Sequence, residues 1–257
     1  MTTTFRNVRA VSLVVLVLML FGWGAVALAQ TPPGTITRLV GSATLMRGGN
    51  VLDVTLGMSV AEGDQISVRP GGHVTVTLAD NSVLSVGQGS VIILDQLVMS
   101  TANVRLYTRV HLLGGVIRSV IKVASSGNPN FEVQTPNAVA GARGTNYKTA
   151  YSEGATRPDF NNCRRFTDVQ VFDGLVGVSN SALSVAETSV PAGYETTVAC
   201  DSPPLSPGPL GMTGIPSSAV SDPEAAPLGV TPPPPPPAPP PPAPPPAPPP
   251  APPPGPF

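Results

Sequence analysis

The side chains in the central part of this 257-residue chain that could do chemistry are few: Asp64, Asp80 and Asp95, His73 and His111, and the cysteines Cys163 and Cys200. Paired carboxylates can serve as general acid and base. Asp64 and Asp80, however, stand in Gly63-Asp64 and Asp80-Asn81, turn sequences in which an aspartate bonds nearby backbone amides. No histidine accompanies a serine or cysteine in a nucleophile motif, and no glycine-rich loop opens a helix to hold phosphate. The two cysteines have neither CxxC nor zinc-site spacing, and the histidines are isolated. The expectation is a non-enzymatic chain without catalytic residue, cofactor, metal site or small-molecule substrate.

Both ends differ in composition from the middle. Met1 to Arg9 carries Arg6 and Arg9 without acids, an apolar run follows from Ala10 to Phe21, and Ala27-Leu28-Ala29 precedes Gln30. These are the three parts of a secretory signal, so residues 1–29 read as a signal peptide cleaved near Ala29, with export to the periplasm or cell envelope. An uncleaved anchor is the alternative, since Ala10 to Ala29 is about twenty residues and long enough to span a bilayer. Gly22, Gly24 and the small residues before Gln30 favour cleavage. In an oxidising compartment Cys163 and Cys200 most simply form one disulfide. It closes a loop of about 36 residues and contributes roughly 3 to 4 kcal/mol in the chain-entropy model.

At the other end, residues 201–257 read as a disordered tail: Pro, Ser and Gly dominate Ser202 to Thr231, and Pro232 to Pro256 is almost pure proline and alanine. As a polyproline II arm rising about 3.1 Å per residue, the last stretch would reach roughly 80 Å. A spacer, a ligand for an aromatic-lined groove and a solubilising tail all suit that composition.

Residues 34–200 remain as one domain. With 14 basic against 15 acidic residues in the whole chain, nothing draws it to nucleic acid or to an anionic membrane surface. Turn signals at Gly41, Gly48-Gly49-Asn50, Gly63-Asp64, Pro70-Gly71-Gly72, Asp80-Asn81 and Gly87-Gln88-Gly89 divide it into short strands. Val74, Val76 and Leu78 alternate with Thr75 and Thr77, the pattern of a half-buried strand. Val104 to Val123 reads as a hairpin turning at Gly114-Gly115, with Arg105, Arg109, Arg118 and Lys122 on a solvated cationic face. That face has no interleaved aromatics for stacking on nucleic acid.

Phe131 to Tyr151, FEVQTPNAVAGARGTNYKTAY, reads as strand, turn, strand, and the rest of the domain is arranged around it. Pro136 fixes its own φ and holds Thr135 extended. Gly141 and Gly144 bracket Arg143 and permit a tight backbone path. A guanidinium there can donate to several carbonyls at once, so Arg143 is expected to clamp the loop within the fold; contact with a partner is the alternative.

TPNAVAGARGTNY resembles the signature of the FecR domain, an extracytoplasmic β-rich module, with Ala142 where a valine is usual. VAEGDQISVRPGGHVTVTLADNSVLSVGQGSVIIL resembles that family's other blocks, and VFDGLVGVSN and VPAGYETTV its closing hairpins. The resemblance marks Thr135, Pro136, Gly141, Arg143, Gly144 and Thr145 as motif positions, structural or interacting. It implies an all-β fold, solenoid-like or of stacked hairpins, with a β-sandwich as the alternative.

The best-known members it resembles are transmembrane regulators that pass a signal about iron-chelate uptake to a cytoplasmic sigma factor. About nine residues precede the apolar run here, fewer than a sigma-binding domain needs. The expected function is therefore an exported interaction module whose β domain binds another protein or envelope component. A periplasmic sensor acting with a separate membrane partner is the alternative.

Overall fold

A computed structural model describes residues 33–100, 105–123, 130–183 and 187–211. The expected signal peptide and the polyproline stretch lie outside the described residues. Within them the fold is all-β, with no helix. The first half forms β1 (Gly34–Val40), β2 (Ala43–Arg47), β3 (Asn50–Asp53), β4 (Ser59–Val60), β5 (Gln65–Val68), β6 (His73–Leu78), β7 (Val83–Val86) and β8 (Val91–Met99). The second half forms β9 (Arg105–Val120), β10 (Asn130–Gln134), β11 (Ala138–Ala142), β12 (Asn146–Glu153), β13 (Arg165–Asp173), β14 (Leu175–Asn180), β15 (Thr188–Pro191), β16 (Tyr194–Ala199) and β17 (Gly208–Pro209).

Pairing sorts these strands into two layers. Sheet A runs β4-β1-β6-β7-β9-β12-β13-β16-β17. Sheet B runs β3-β2-β5-β8-β9-β10-β11-β14-β15. Beyond the outermost β4 and β3, later strands add progressively further along in both, so hairpins stack in chain order while the chain passes between layers. Neither sheet closes on itself. All pairings are antiparallel except β9 with β10, which is parallel. The inward positions of both layers, Val74, Val76 and Leu84 from sheet A and Leu45, Ile66 and Ile92 from sheet B, belong to one core. Stacked hairpins thus bury their apolar faces as two facing sheets.

The expected hairpin at Gly114-Gly115 is instead a bend in one strand. β9 pairs in sheet B through Gly114, opposite Val91, and in sheet A from Gly115, opposite Tyr151. Gly115 has φ +84°, and a Cβ there would lie 2.6 Å from the Ser90 Cα. The Ser90 hydroxyl accepts from the Val116 N–H at 2.8 Å and donates to the Val116 carbonyl at 3.1 Å, fixing the bend. One strand therefore belongs to both layers. The cationic face is divided too: Arg109 and Arg118 lie on the outer sides of different sheets, and Arg105 is buried.

The tail begins later than composition suggests. Leu205 donates its N–H to the Thr197 carbonyl at 3.0 Å, the Thr196 hydroxyl donates to the Leu205 carbonyl at 2.6 Å, and β17 pairs with β16. Residues 201–211 thus extend sheet A at its edge.

Candidate interaction surface

The signature stretch forms β10, a turn, β11, a second turn and β12. Its first turn is a buried polar node. Each threonine hydroxyl has one proton to give. Thr167 on β13 donates to Asn137 Oδ1 at 2.6 Å, so Thr135 donates to Thr167 Oγ1 at 2.7 Å and accepts from the Ala138 N–H at 3.0 Å. Asn137 Nδ2 donates to the Val198 carbonyl at 3.0 Å and lies 3.4 Å from the Cys200 carbonyl. Thr135 and Asn137 come from sheet B, Thr167 and Val198 from sheet A. The node therefore pins the two layers together, while Pro136 is exposed at the turn.

Beside it stands the disulfide. Cys163 and Cys200 are bonded, with Cα atoms 5.8 Å apart. Cys163 ends a loop that covers the outer face of β13: Arg157 donates to both Asp168 oxygens at 2.8 and 2.6 Å, and its guanidinium carbon stands 4.2 Å from the centroid of the Phe166 ring. Thr197 donates to the same carboxylate at 2.7 Å. β13 is thus buried on both faces from Phe166 to Val169. The sequence reading selected the cysteines and Thr135 but passed over Asn137 and Thr167.

At the second turn Thr145 is buried and its carbonyl accepts from the Ile121 N–H at 2.8 Å. Gly144 has φ +64°, whereas Gly141 is an extended residue of β11 opposite Glu132. Arg143 is exposed at this turn. Alternation explains it: Ala142 faces the core, so Arg143 faces out. The buried guanidinium is that of Arg105, which is 0% exposed. Its Nη1 donates to Asp80 Oδ2 at 2.6 Å and to Ser82 Oγ at 2.7 Å, and its Nη2 to the Lys122 carbonyl at 2.9 Å. The Phe131 ring centroid lies 5.7 Å from its Cζ. Burial lowers the Arg105 pKa, and the Asp80 charge opposes that shift. Asp80 also accepts from the Ser82 N–H at 3.0 Å, so its turn role and its ion pair coincide. Asp64 combines the same two tasks, accepting from the Ala61 N–H at 2.8 Å and from Arg47 at 2.7 and 2.5 Å.

The solvent side of sheet B carries a row of charged and polar groups across β8, β9 and β10. Arg109 lies opposite Glu132 in the parallel register, 3.4 Å from its carboxylate. The Tyr107 hydroxyl donates to Glu132 at 2.7 Å, and the Arg109 guanidinium lies 5.2 Å from the Tyr107 ring centroid. Asp95 occupies a bulge between Leu94 and Gln96. That bulge aims its carboxylate at His111, 3.3 Å away, and at Arg109, 3.7 Å away. Burial and the bond to Glu132 push the Tyr107 pKa up to about 12. The five side chains brace one another and remain part-exposed, a fixed pattern of alternating charge facing water.

Residues 64–177 match the family model described as FecR protein, a span that begins at Asp64 and ends within β14. That span of the chain is similar to the FecR family. Within it lie the Arg105–Asp80 clamp, the charged row, the Thr135–Asn137 turn and Arg143, whereas the disulfide reaches beyond it to Cys200. Two crystal structures of a Parabacteroides distasonis protein described as an anti-sigma factor, at 1.65 and 2.50 Å resolution, are similar at 19% identity with TM-scores of 0.42 and 0.41. Each match covers 56% of this chain and 59% of that protein, so the likeness spans less than two thirds of its length. No curated protein matches the chain.

Proposed function

We propose that the chain is an exported, non-enzymatic interaction module of the cell envelope, whose FecR-like domain binds another protein or envelope component through the charged row on sheet B. The observation that carries this reading is the bracing of Asp95, Arg109, His111, Glu132 and Tyr107 across three adjacent strands. Groups already held in place lose little freedom on binding, and alternating charge selects a complementary surface. The Cys163–Cys200 bond supports an oxidising location such as the periplasm.

Affinity capture from the envelope fraction, with wild-type chain beside Arg109→Glu, tests the reading. The expected outcome is one or more partners held by the wild type and lost with the reversed charge, at unchanged thermal stability. Equal capture by both would remove the row from the interface. The FecR match favours a second reading, a sensor acting through a separate membrane partner. Identification of the captured protein as a membrane-spanning regulator, rather than a surface component, would select it.

A further inference from the structure

The two ends of the stacked sheets are finished differently. At the C-terminal end the edge strands β15 and β17 contain Pro191 and Pro209, which remove amide donors and block strand addition. At the N-terminal end the edge of sheet B is β3, Asn50-Val51-Leu52-Asp53, fully exposed and without proline. Around it lies a concentration of bare apolar surface. Met46, Val51 (67% exposed), Leu52 (43%) and Leu56 (68%) all fall within the β2–β3 hairpin and its exit loop. Such clustering marks a contact surface.

The free hydrogen-bonding groups of this edge can be assigned. Gly48 and Gly49, with φ of +55° and +82°, form a two-residue turn, so Arg47 and Asn50 make the closing hydrogen-bonded pair. Bonded and non-bonded pairs alternate from there, which makes Leu45–Leu52 bonded and Met46–Val51 and Thr44–Asp53 non-bonded. The Val54 N–H to Ala43 carbonyl bond of 3.0 Å has the same phase. Val51 and Asp53 therefore direct their N–H and C=O groups to the open edge.

We propose that this edge pairs with β3 of a second copy of the chain, antiparallel about a two-fold axis at Leu52. The phase admits only registers that bring outward-facing residues together. Centring on Leu52 sets Val51 opposite Asp53 of the second copy, and by symmetry Asp53 opposite its Val51, so every free backbone group of the edge is used. Leu52 then meets its own copy in the close, non-bonded position, where side chains pack best. Centring on Asp53 sets two carboxylates face to face; centring on Val51 leaves Asp53 against the glycine turn. The stretch Pro232 to Pro256 is a poor strand for this edge, because prolines supply no amide. Head-to-tail addition is blocked by Pro191 and Pro209, so the assembly stops at two copies. A short ladder covers less area than a tight dimer buries, so association is weak and concentration-dependent.

Sedimentation of the chain as recovered from the producing cell, over a concentration series, tests this beside two variants. Val51→Pro removes an outward amide without touching the bonds to β2, and Leu52→Lys sets two cations across the axis. The expected result is a monomer–dimer equilibrium in the wild type, with slower hydrogen exchange at the Val51 and Asp53 amides as concentration rises, and monomer in both variants at near wild-type melting temperature. Should one variant fail to fold, the other carries the comparison. A dissociation constant weaker than about 1 mM, corresponding to roughly 4 kcal/mol, overturns the proposal. So does a dimer that survives both substitutions, or protection of these amides only on adding another protein, which would give the edge to a foreign strand.

Discussion

Thr167 on β13 donates its hydroxyl proton to Asn137 Oδ1 at 2.6 Å, joining sheet A to the turn between β10 and β11 of sheet B. Asn137 is 1% exposed and passes its own protons to carbonyls at the end of β16. Replacing it with alanine strands the Thr167 hydroxyl and the Val198 carbonyl in a dry site. Each orphaned group costs about 1 to 3 kcal/mol. The melting temperature of Asn137→Ala is expected to fall by several degrees, and Asn137→Asp, which sets a carboxylate against that carbonyl, to fall at least as far. An unchanged melting curve for both would show that the node does not hold the layers together.

Arg105 and Asp80 differ from a surface pair because the guanidinium has no exposure. Asp80→Ala leaves a buried charge with only Ser82 and the Lys122 carbonyl, a change that typically costs about 3 to 5 kcal/mol. Arg105→Met with Asp80→Asn removes both charges and is expected to recover most of that loss. Denaturant unfolding of the single and double variants gives the comparison. Additive losses would mean that the two residues act separately.

Where structure follows from local rules, the sequence was legible. The strand at His73–Leu78 and the six N-terminal turns are present, because alternation and turn chemistry are properties of neighbouring residues; the signature stretch instead holds a third strand, β11, in the small residues Ala138–Ala142 that read as part of a turn. The node and the clamp are not local. Asn137 reaches Val198 across 61 positions and Arg105 reaches Asp80 across 25, so neither partner shows in a window around either residue. Gly114-Gly115 misled for a related reason: two glycines are a turn signal, but whether the chain reverses or bends depends on Ser90, brought there by β8.

Tyr107 and Tyr151 each donate to a carboxylate, Glu132 at 2.7 Å and Glu153 at 3.0 Å. Burial first, and then those bonds, raise both pKa values to about 12. Tyr147, fully buried, is raised further. An unfolded tyrosine titrates near pH 10, so the fold favours the neutral phenol. The sign is then fixed: this stabilisation is complete below about pH 10 and is lost as pH climbs toward about 12. Melting temperature is expected to decline through that interval, with tyrosinate absorbance rising late in the folded chain. Tyr107→Phe and Tyr151→Phe should each flatten the decline. Full tyrosinate absorbance near pH 10 in folded protein would contradict the assignment.

The Cys163–Cys200 bond fastens the loop over β13 to the end of β16, next to the carbonyls that Asn137 and Asn180 engage. Closing a loop with a separation of 37 residues constrains the unfolded chain, and losing such a native bond typically costs about 2 to 5 kcal/mol. The effect should be unevenly distributed. The loop through Arg157 and Phe160 rests on a small separate cluster of Cys163, Phe166 and Ala199, whereas β1, β2 and β4 to β8 contribute to the main core. On reduction, or in the paired Cys163→Ser and Cys200→Ser variant, hydrogen exchange is expected to accelerate first between residues 154 and 165 and along β16, with β5 to β7 still protected. Proteolysis should then nick that loop before any other part of the domain. Identical melting and cleavage with and without reductant would show that Arg157, through Asp168 and the Phe166 ring, holds the loop unaided.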